Sequence, residues 1–189
     1  SLSFKIIFII IITCITITSI IGLTVYQRVS STIINEKIAI SKVESSNALN
    51  VAQSQFNIAR FKGDAGLNKA VEDFITKSRE DGLISGRETV LLPISSSNKK
   101  ISIFQTVPSL LVLISIPREF RDEVRNSKDV LEKKVTIYYS NGKNYPGFII
   151  GGKLNIPKSG AYEIYYLFKL NAQYQSITTV AWTLALAGF

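Results

Sequence analysis

Two arginines and three hydroxyl-bearing side chains are the residues best placed by type and spacing to meet a small ligand. Arg118 and Arg121 lie one turn apart in "PREFRDEVRNSKD", a predicted short helix whose N-terminal end favours an anion. Thr136, Tyr138 and Tyr165 fall on predicted strands, on what alternation marks as the less apolar face of a sheet. Each also has a plainer reading, because strand tyrosines commonly pack and arginines on a short helix are commonly solvated. On the ligand reading, Tyr138→Ala or Arg121→Ala leaves folding intact and alters the response.

Most other chemistry is excluded by composition. The chain has no histidine and one cysteine, Cys14, inside an apolar run. A Ser-His-Asp or Cys-His site, the usual histidine-based metal sites and an intramolecular disulfide are therefore ruled out. There is no Walker A or G-x-G-x-x-G loop; "IIGGKLN" has paired glycines but no following helix, and reads as a bulge or turn. No serine motif supports a Ser–Lys dyad. The pairs Glu72–Asp73 and Asp122–Glu123 are adjacent in sequence, so on helices their carboxylates diverge onto solvated faces. No catalytic constellation is legible.

The elements that position the candidates begin with a membrane segment. No charge interrupts the 22 residues from Ile6 to Gln27, enough for one crossing of a bilayer core about 30 Å thick. That run is longer than the apolar region of a cleavable signal, and "IIIITC" lacks the small residues of a lipoprotein signal, so an uncleaved anchor is expected. A second charge-free run, Ser176 to Phe189, is too short to span. With no Met in the chain, the sequence reads as a piece of a longer membrane protein. Residues 1–27 would be a first transmembrane helix, 28–175 an extracytoplasmic domain, and 176–189 the start of a second span. All but Lys5 of the 22 Lys and Arg, and all 14 Asp and Glu, lie between Gln27 and Gln175. That basic excess suits an anionic surface such as lipid headgroups. No clustered basic stripe with interleaved aromatics is present, which disfavours nucleic acid. A middle domain of this length can be exported largely regardless of its charge.

From Arg28 to Phe61 there is no Pro or Gly, and Ile38, Leu49, Ala52, Phe56 and Ala59 recur at helical intervals. The membrane helix is expected to run on into a long extracytoplasmic helix. "KGDAG" should break it, with Asp64 or a neighbour capping a second helix over roughly Leu67–Glu80. Strands are expected at "TVLLPIS" and "KKISIFQT", joined by a turn around Ser96 to Asn98. "SLLVLISIP" is ambiguous, and Pro117 suits the first residue of a short helix. The last third reads as three strands: "KVTIYYS", "FIIGGKLNI" after the turn "NGKNYPG", and "AYEIYYLFKL" after "PKSG". In the last, Tyr162, Ile164, Tyr166, Phe168 and Leu170 form a core face, opposite a mixed face of Glu163, Tyr165, Leu167 and Lys169. The fold class is α+β, with a mostly antiparallel sheet of about five strands and a long N-terminal helix.

This order of elements resembles the single-Cache or PAS-like extracytoplasmic sensor domain held between two transmembrane helices. "SLSFKIIFI…GLTVYQRVSSTIINEK" and "GFIIGGKLNIPKSGAYEIYYLFKLNAQYQSIT" resemble the corresponding ends of the sensor region in actinobacterial MtrB-type sensor histidine kinases. Residues from about Gly63 to Lys134 depart from that pattern. The resemblance implies a homodimeric membrane kinase of a two-component system that phosphorylates itself on histidine and passes the phosphate to a response regulator. It implies an envelope or osmotic signal, with an envelope lipoprotein as a further partner. No cofactor is expected in this chain; ATP and Mg would belong to a kinase domain outside it. The alternative is a membrane-anchored extracytoplasmic interaction module without kinase activity.

Overall fold

The computed structural model describes residues 2–94 and 103–187, with side chains for 5–94 and 103–183. The expected turn at Ser96 to Asn98 and the first half of the predicted strand "KKISIFQT" lie outside the described residues. The chain divides into two units, Ser1–Lys37 with Ala172–Phe189, and Ile38–Asn171.

The first unit is helical. Helix α1 runs Leu2–Phe61, and its N-terminal part supplies this unit. By length and composition α1 is apolar enough to cross a membrane, and the apolar window is unburied. Its hydroxyls are suited to a medium without water. Thr13, Thr16 and Thr24 each donate to the carbonyl four residues back at 2.8 Å, so these three hydroxyls need no solvent partner. Helix α5, Asn171–Ala187, repeats the device at Ser176, Thr178, Thr179 and Thr183. Residues Asn171–Gln175, at the end of the expected extracytoplasmic stretch 28–175, form the first turn of α5.

The second unit is an α+β domain. After the rest of α1 come α2 (Gly63–Ser85), β1 (Arg87–Pro93), β2 (Phe104–Gln105), α3 (Val112–Ser115), α4 (Arg118–Asn126), β3 (Leu131–Tyr138), β4 (Asn144–Ile156) and β5 (Gly160–Lys169). The strands form one five-stranded sheet in the order β2-β1-β5-β4-β3, with every pairing antiparallel. The break between α1 and α2 is a single residue, Lys62, before Gly63 at φ +72°. Asp64 does not cap α2 through its side chain. It sits in the first turn, where a carboxylate complements the helix dipole, and pairs with Lys158 at 2.8 Å. The ambiguous "SLLVLISIP" supplies α3, and Pro117 stands one position before α4 as its N-cap.

Strand β5 differs from its expected form. It is central, and Tyr162 through Phe168 are buried without exception. Cross-strand partners share a face, so Val90, Tyr165, Gly151 and Leu131 point one way, while Leu91, Ile164 and Gly152 point the other. On the first face α3 and α4 bring Ile116, Phe120 and Val124 into a core with Val90, Ile149, Tyr165 and Leu167. On the second, α1 and α2 cover Phe148, stacked on Phe168 at 5.0 Å, with Phe56 and Phe74 meeting at 5.8 Å between the two helices. The sheet is covered on both sides, so neither face of β5 is the mixed, half-solvated one that its charges suggested.

The paired glycines also have a different role. Gly151 and Gly152 are regular residues within β4, Gly151 paired with both β3 and β5 and Gly152 with β5, and form neither bulge nor turn. A Cβ on Gly151 would lie 2.7 Å from Val124 of α4, and one on Gly152 would lie 2.9 Å from Leu49 of α1. Each glycine lets one helical layer approach the sheet. Pro146 lies inside β4, where the alternation suggested a turn. Its carbonyl accepts from the Leu170 amide, and its missing N–H falls beyond the last regular pair, Gly147 with Lys169, so no interior ladder bond is lost. We expect Gly151→Ala to destabilise the domain by about 1–3 kcal/mol through overpacking against Val124 and Tyr165. Thermal unfolding of the full chain in detergent micelles measures this; an unchanged melting temperature would show that α4 gives way freely.

Candidate functional site

Helix α4 is amphipathic with a sharp division. Phe120 and Val124 are buried, while Arg118, Arg121 and Arg125, at i, i+3 and i+7, share another face. That face closes over Glu163, which points from the middle of β5 and has no exposure at all. A carboxylate there requires partners. Arg121 Nε donates to Glu163 Oε2 at 3.0 Å, Tyr165 Oη donates to the same oxygen at 2.7 Å, and Arg125 Nε donates to Oε1. Arg125 also pairs with Asp122 at 3.2 Å, and Lys153 Nζ donates to the Arg125 carbonyl at 3.0 Å.

Above this cluster lies a cavity of about 290 Å³ lined by Leu113, Ile116, Arg118, Arg121, Asp122 and Arg125. Arg118 is exposed and has no hydrogen bond or ion pair among the described residues. Arg121 uses Nε for Glu163, which leaves its terminal amino groups without a partner among the described residues. Three guanidinium groups thus face two carboxylates, and the free donors point to a small anionic guest. Glu163 already accepts from three donors, so the geometry suits binding more than proton transfer. Among the described residues no group of three His, Cys, Asp or Glu side chains could hold a metal ion.

Of the five candidates from the sequence, the structure brings three together: Arg118 and Arg121 at the cavity, and Tyr165 beneath it through Glu163. Thr136 and Tyr138 are elsewhere. They lie on edge strand β3 and point to the face opposite Tyr165, because Leu131 shares the face of Tyr165 and the even-numbered residues of β3 do not. The expected common face for these three is corrected accordingly. The expectation that Arg121→Ala spares the fold also fails on physical grounds, since it strips a partner from a buried carboxylate. Arg125 and Glu163 were missed as site residues. Their signals were the i+7 spacing of Arg125 from Arg118 and an acidic residue between Tyr162 and Ile164 in an otherwise apolar strand.

A second buried carboxylate on the same face follows the same rule. Glu88 accepts from Tyr139 Oη and pairs with Lys169 at 3.0 Å; Lys169 sits 5.1 Å from the Tyr139 ring centre and 5.6 Å from that of Tyr145. Burial, reinforced by the bonds to Glu163 and Glu88, holds the Tyr165 and Tyr139 phenols well above their ordinary range. The hydrogen bond to Glu163 is the main cause of the raised Arg125 guanidinium.

No model of a known protein family matches the chain, and no curated protein matches it.

Two outcomes are expected. Arg121→Ala should lower stability by about 1.5–3 kcal/mol, whereas Arg118→Ala should stay within about 0.5 kcal/mol of the parent. Melting temperatures of the full chain in micelles, with roughly 5–12 °C lost in the first variant, test the contrast. The second concerns pH. Both phenols bind their protons more tightly in the folded state, so their stabilisation is complete below the ordinary pKa of 10.0 and is lost as pH rises past it. Each contributes a slope of about 1.4 kcal/mol per pH unit in that range. Melting temperature should be flat to about pH 9 and fall above 10, less steeply in Tyr165→Phe; equal slopes would remove Tyr165 from the account.

Proposed function

We propose that this chain is the sensory and membrane-tethering portion of a two-component sensor histidine kinase, its middle unit a single-Cache or PAS-like extracytoplasmic domain between two transmembrane helices. The observation that carries the reading is connectivity. One helix, α1, joins an apolar segment long enough to cross a bilayer to a sheet domain, and the central strand of that domain leads through Leu170 into the charge-free α5. A stimulus meeting the middle domain would therefore act on both connections. Transmission requires that the stimulus bind two arrangements of the domain differently. The arginine-lined cavity is the candidate place for a small anionic stimulus. ATP, Mg and the response regulator would belong to cytoplasmic portions outside this chain.

The homodimer that accompanies this reading is supported by the outer side of α1. Ile40 and Val43 are 50% and 62% exposed there, turned away from the buried Ile38, Ser45, Ala52 and Phe56. The same exposed stripe favours the alternative, a membrane-anchored interaction module that docks an envelope lipoprotein and has no kinase behind it. A single-cysteine variant, Lys128→Cys in a Cys14→Ser background, separates the cases together with the coding sequence past Phe189. Labelling by a membrane-impermeant maleimide in intact cells, followed downstream by a histidine-bearing helix, is the expected result. Labelling with a stop codon soon after Phe189 leaves the interaction module, and labelling only after permeabilisation overturns both readings.

A further inference from the structure

The sheet face opposite the arginine cavity carries a second cleft. It has a volume of about 200 Å³, lies between α1, α2 and the sheet, and is wholly within the second unit. Ala48, Val51, Ala52 and Phe74 provide an apolar wall. The polar end is formed by Ser78, Arg87 and Tyr166, which are 5%, 9% and 3% exposed.

Each of these three side chains has an unused hydrogen-bonding atom. Arg87 Nε is buried with no partner, and Ser78 Oγ and Tyr166 Oη have none among the described residues. Unused donors at such burial are uncommon in native structures, because leaving one unpaired is destabilising. The buried, unpaired Arg87 Nε points to a missing acceptor, and the Ser78 and Tyr166 hydroxyls line the same cleft with protons left to donate. Arg87 is itself rigidly held: its Nη2 donates to Asp81 at 2.6 Å, and its guanidinium lies 4.8 Å from the centre of the Tyr166 ring.

The chemistry of the guest follows from these groups. Arginine only donates, and burial pushes the Tyr166 phenol up to about 12, so at neutral pH it retains its proton to donate. The charged residues lining the cleft are Lys77, Asp81 and Arg87, a net positive charge. A guest of one negative charge balances them; a dianion would face Asp81 uncompensated. The volume is below that of a drug-sized pocket, and the wall away from the donors is apolar. We propose that this cleft binds a short-chain aliphatic monocarboxylate, with its oxygens on Arg87 Nε, Tyr166 Oη and Ser78 Oγ and its alkyl part against Ala52 and Phe74. The site is distinct from the arginine cavity and does not depend on a kinase lying beyond this chain.

The test uses the full chain in detergent micelles at pH 7, titrated with sodium propionate, sodium acetate or sodium chloride at equal ionic strength, with melting temperature as readout. Propionate should raise the melting temperature saturably, and with about fourfold higher affinity than acetate, the worth of one buried methylene. Chloride should not. Tyr166→Phe keeps the packed ring and Ser78→Ala keeps the helix; each should weaken propionate binding about tenfold, the worth of a lost charge-assisted hydrogen bond. Arg118→Ala should leave it unchanged. The proposal is overturned if propionate has no saturable effect, if chloride matches it, or if the folded variants bind as the parent does. It is equally overturned if Arg118→Ala abolishes binding, which would put the carboxylate in the arginine cavity. Should either cleft variant fail to fold, the other decides.

Discussion

A carboxylate with no access to water, at the centre of a strand covered on both faces, is the constraint around which one half of this domain is built. Glu163 could remain charged there only with donors brought to it, and they come from two directions. Tyr165, two residues along the same strand, supplies one, and α4 supplies two arginines. Fixing Arg121 and Arg125 over β5 also fixes the rotation of α4, which turns Phe120 and Val124 into the core. Gly151 is the matching concession on β4, since any side chain there would hold Val124 away. Glu88 repeats the pattern with Tyr139 and Lys169, so this side of the sheet is closed by directional polar ties as well as by apolar area.

The other face is closed by different means. Helix α1 presents Ser41, Ser45, Ala52, Phe56 and Ala59 inward, small or flat side chains that allow close approach, and Gly152 receives Leu49. The Ser41 and Ser45 hydroxyls are buried without partners, so they add little that would fix the register of the helix. Polar anchoring from α1 to the sheet comes chiefly from Gln53, which donates to the Asn155 carbonyl at 2.9 Å and accepts from its amide at 2.8 Å, and from the exposed Lys42–Glu132 pair at 3.0 Å. Dispersion between small residues has no preferred direction, whereas a charge-assisted bond fixes both distance and angle.

Much of the architecture was legible because it rests on local signals. The long helix, the last two strands, the turn at Pro157 to Gly160 and the short helix after Pro117 follow from periodicity and from turn chemistry. What was not legible depends on neighbours distant in sequence. Glu163 and Lys169 mark their face of β5 as partly solvated until α4 and Glu88 are known to meet them. Two glycines in "IIGGKLN" look like a turn until helices are found on both sides of β4. Pro146 argues against a strand until β5 is seen to end just where its missing N–H would have been needed. At the site, Arg118 and Arg121 could be picked by spacing, but which one answers to the core and which to the solvent depends on where Glu163 lies.

The two cavities sit on opposite sides of one strand: Glu163 and Tyr165 face the first, and their neighbour Tyr166 faces the second. Strand β5 is bonded to β1 on one edge and β4 on the other over nearly its whole length. Sliding it by one register step would turn every side chain to the wrong face, so the strand is the fixed element of the domain. Any adjustment to an occupant must then be made by the layers above and below it. On the arginine side α4 can move only by stretching charge-assisted bonds to a buried carboxylate. On the opposite side α1 and α2 meet the sheet largely through apolar and small residues, and the guanidinium of Arg87 is tied to Asp81 of α2 itself. A guest held by Arg87 would therefore pull on α2 through that ion pair, while one held by Arg118 would leave the Glu163 bonds in place. The two cavities thus differ in what closes them: directional charge-assisted bonds on the arginine side, mainly apolar packing with one ion pair to α2 on the other.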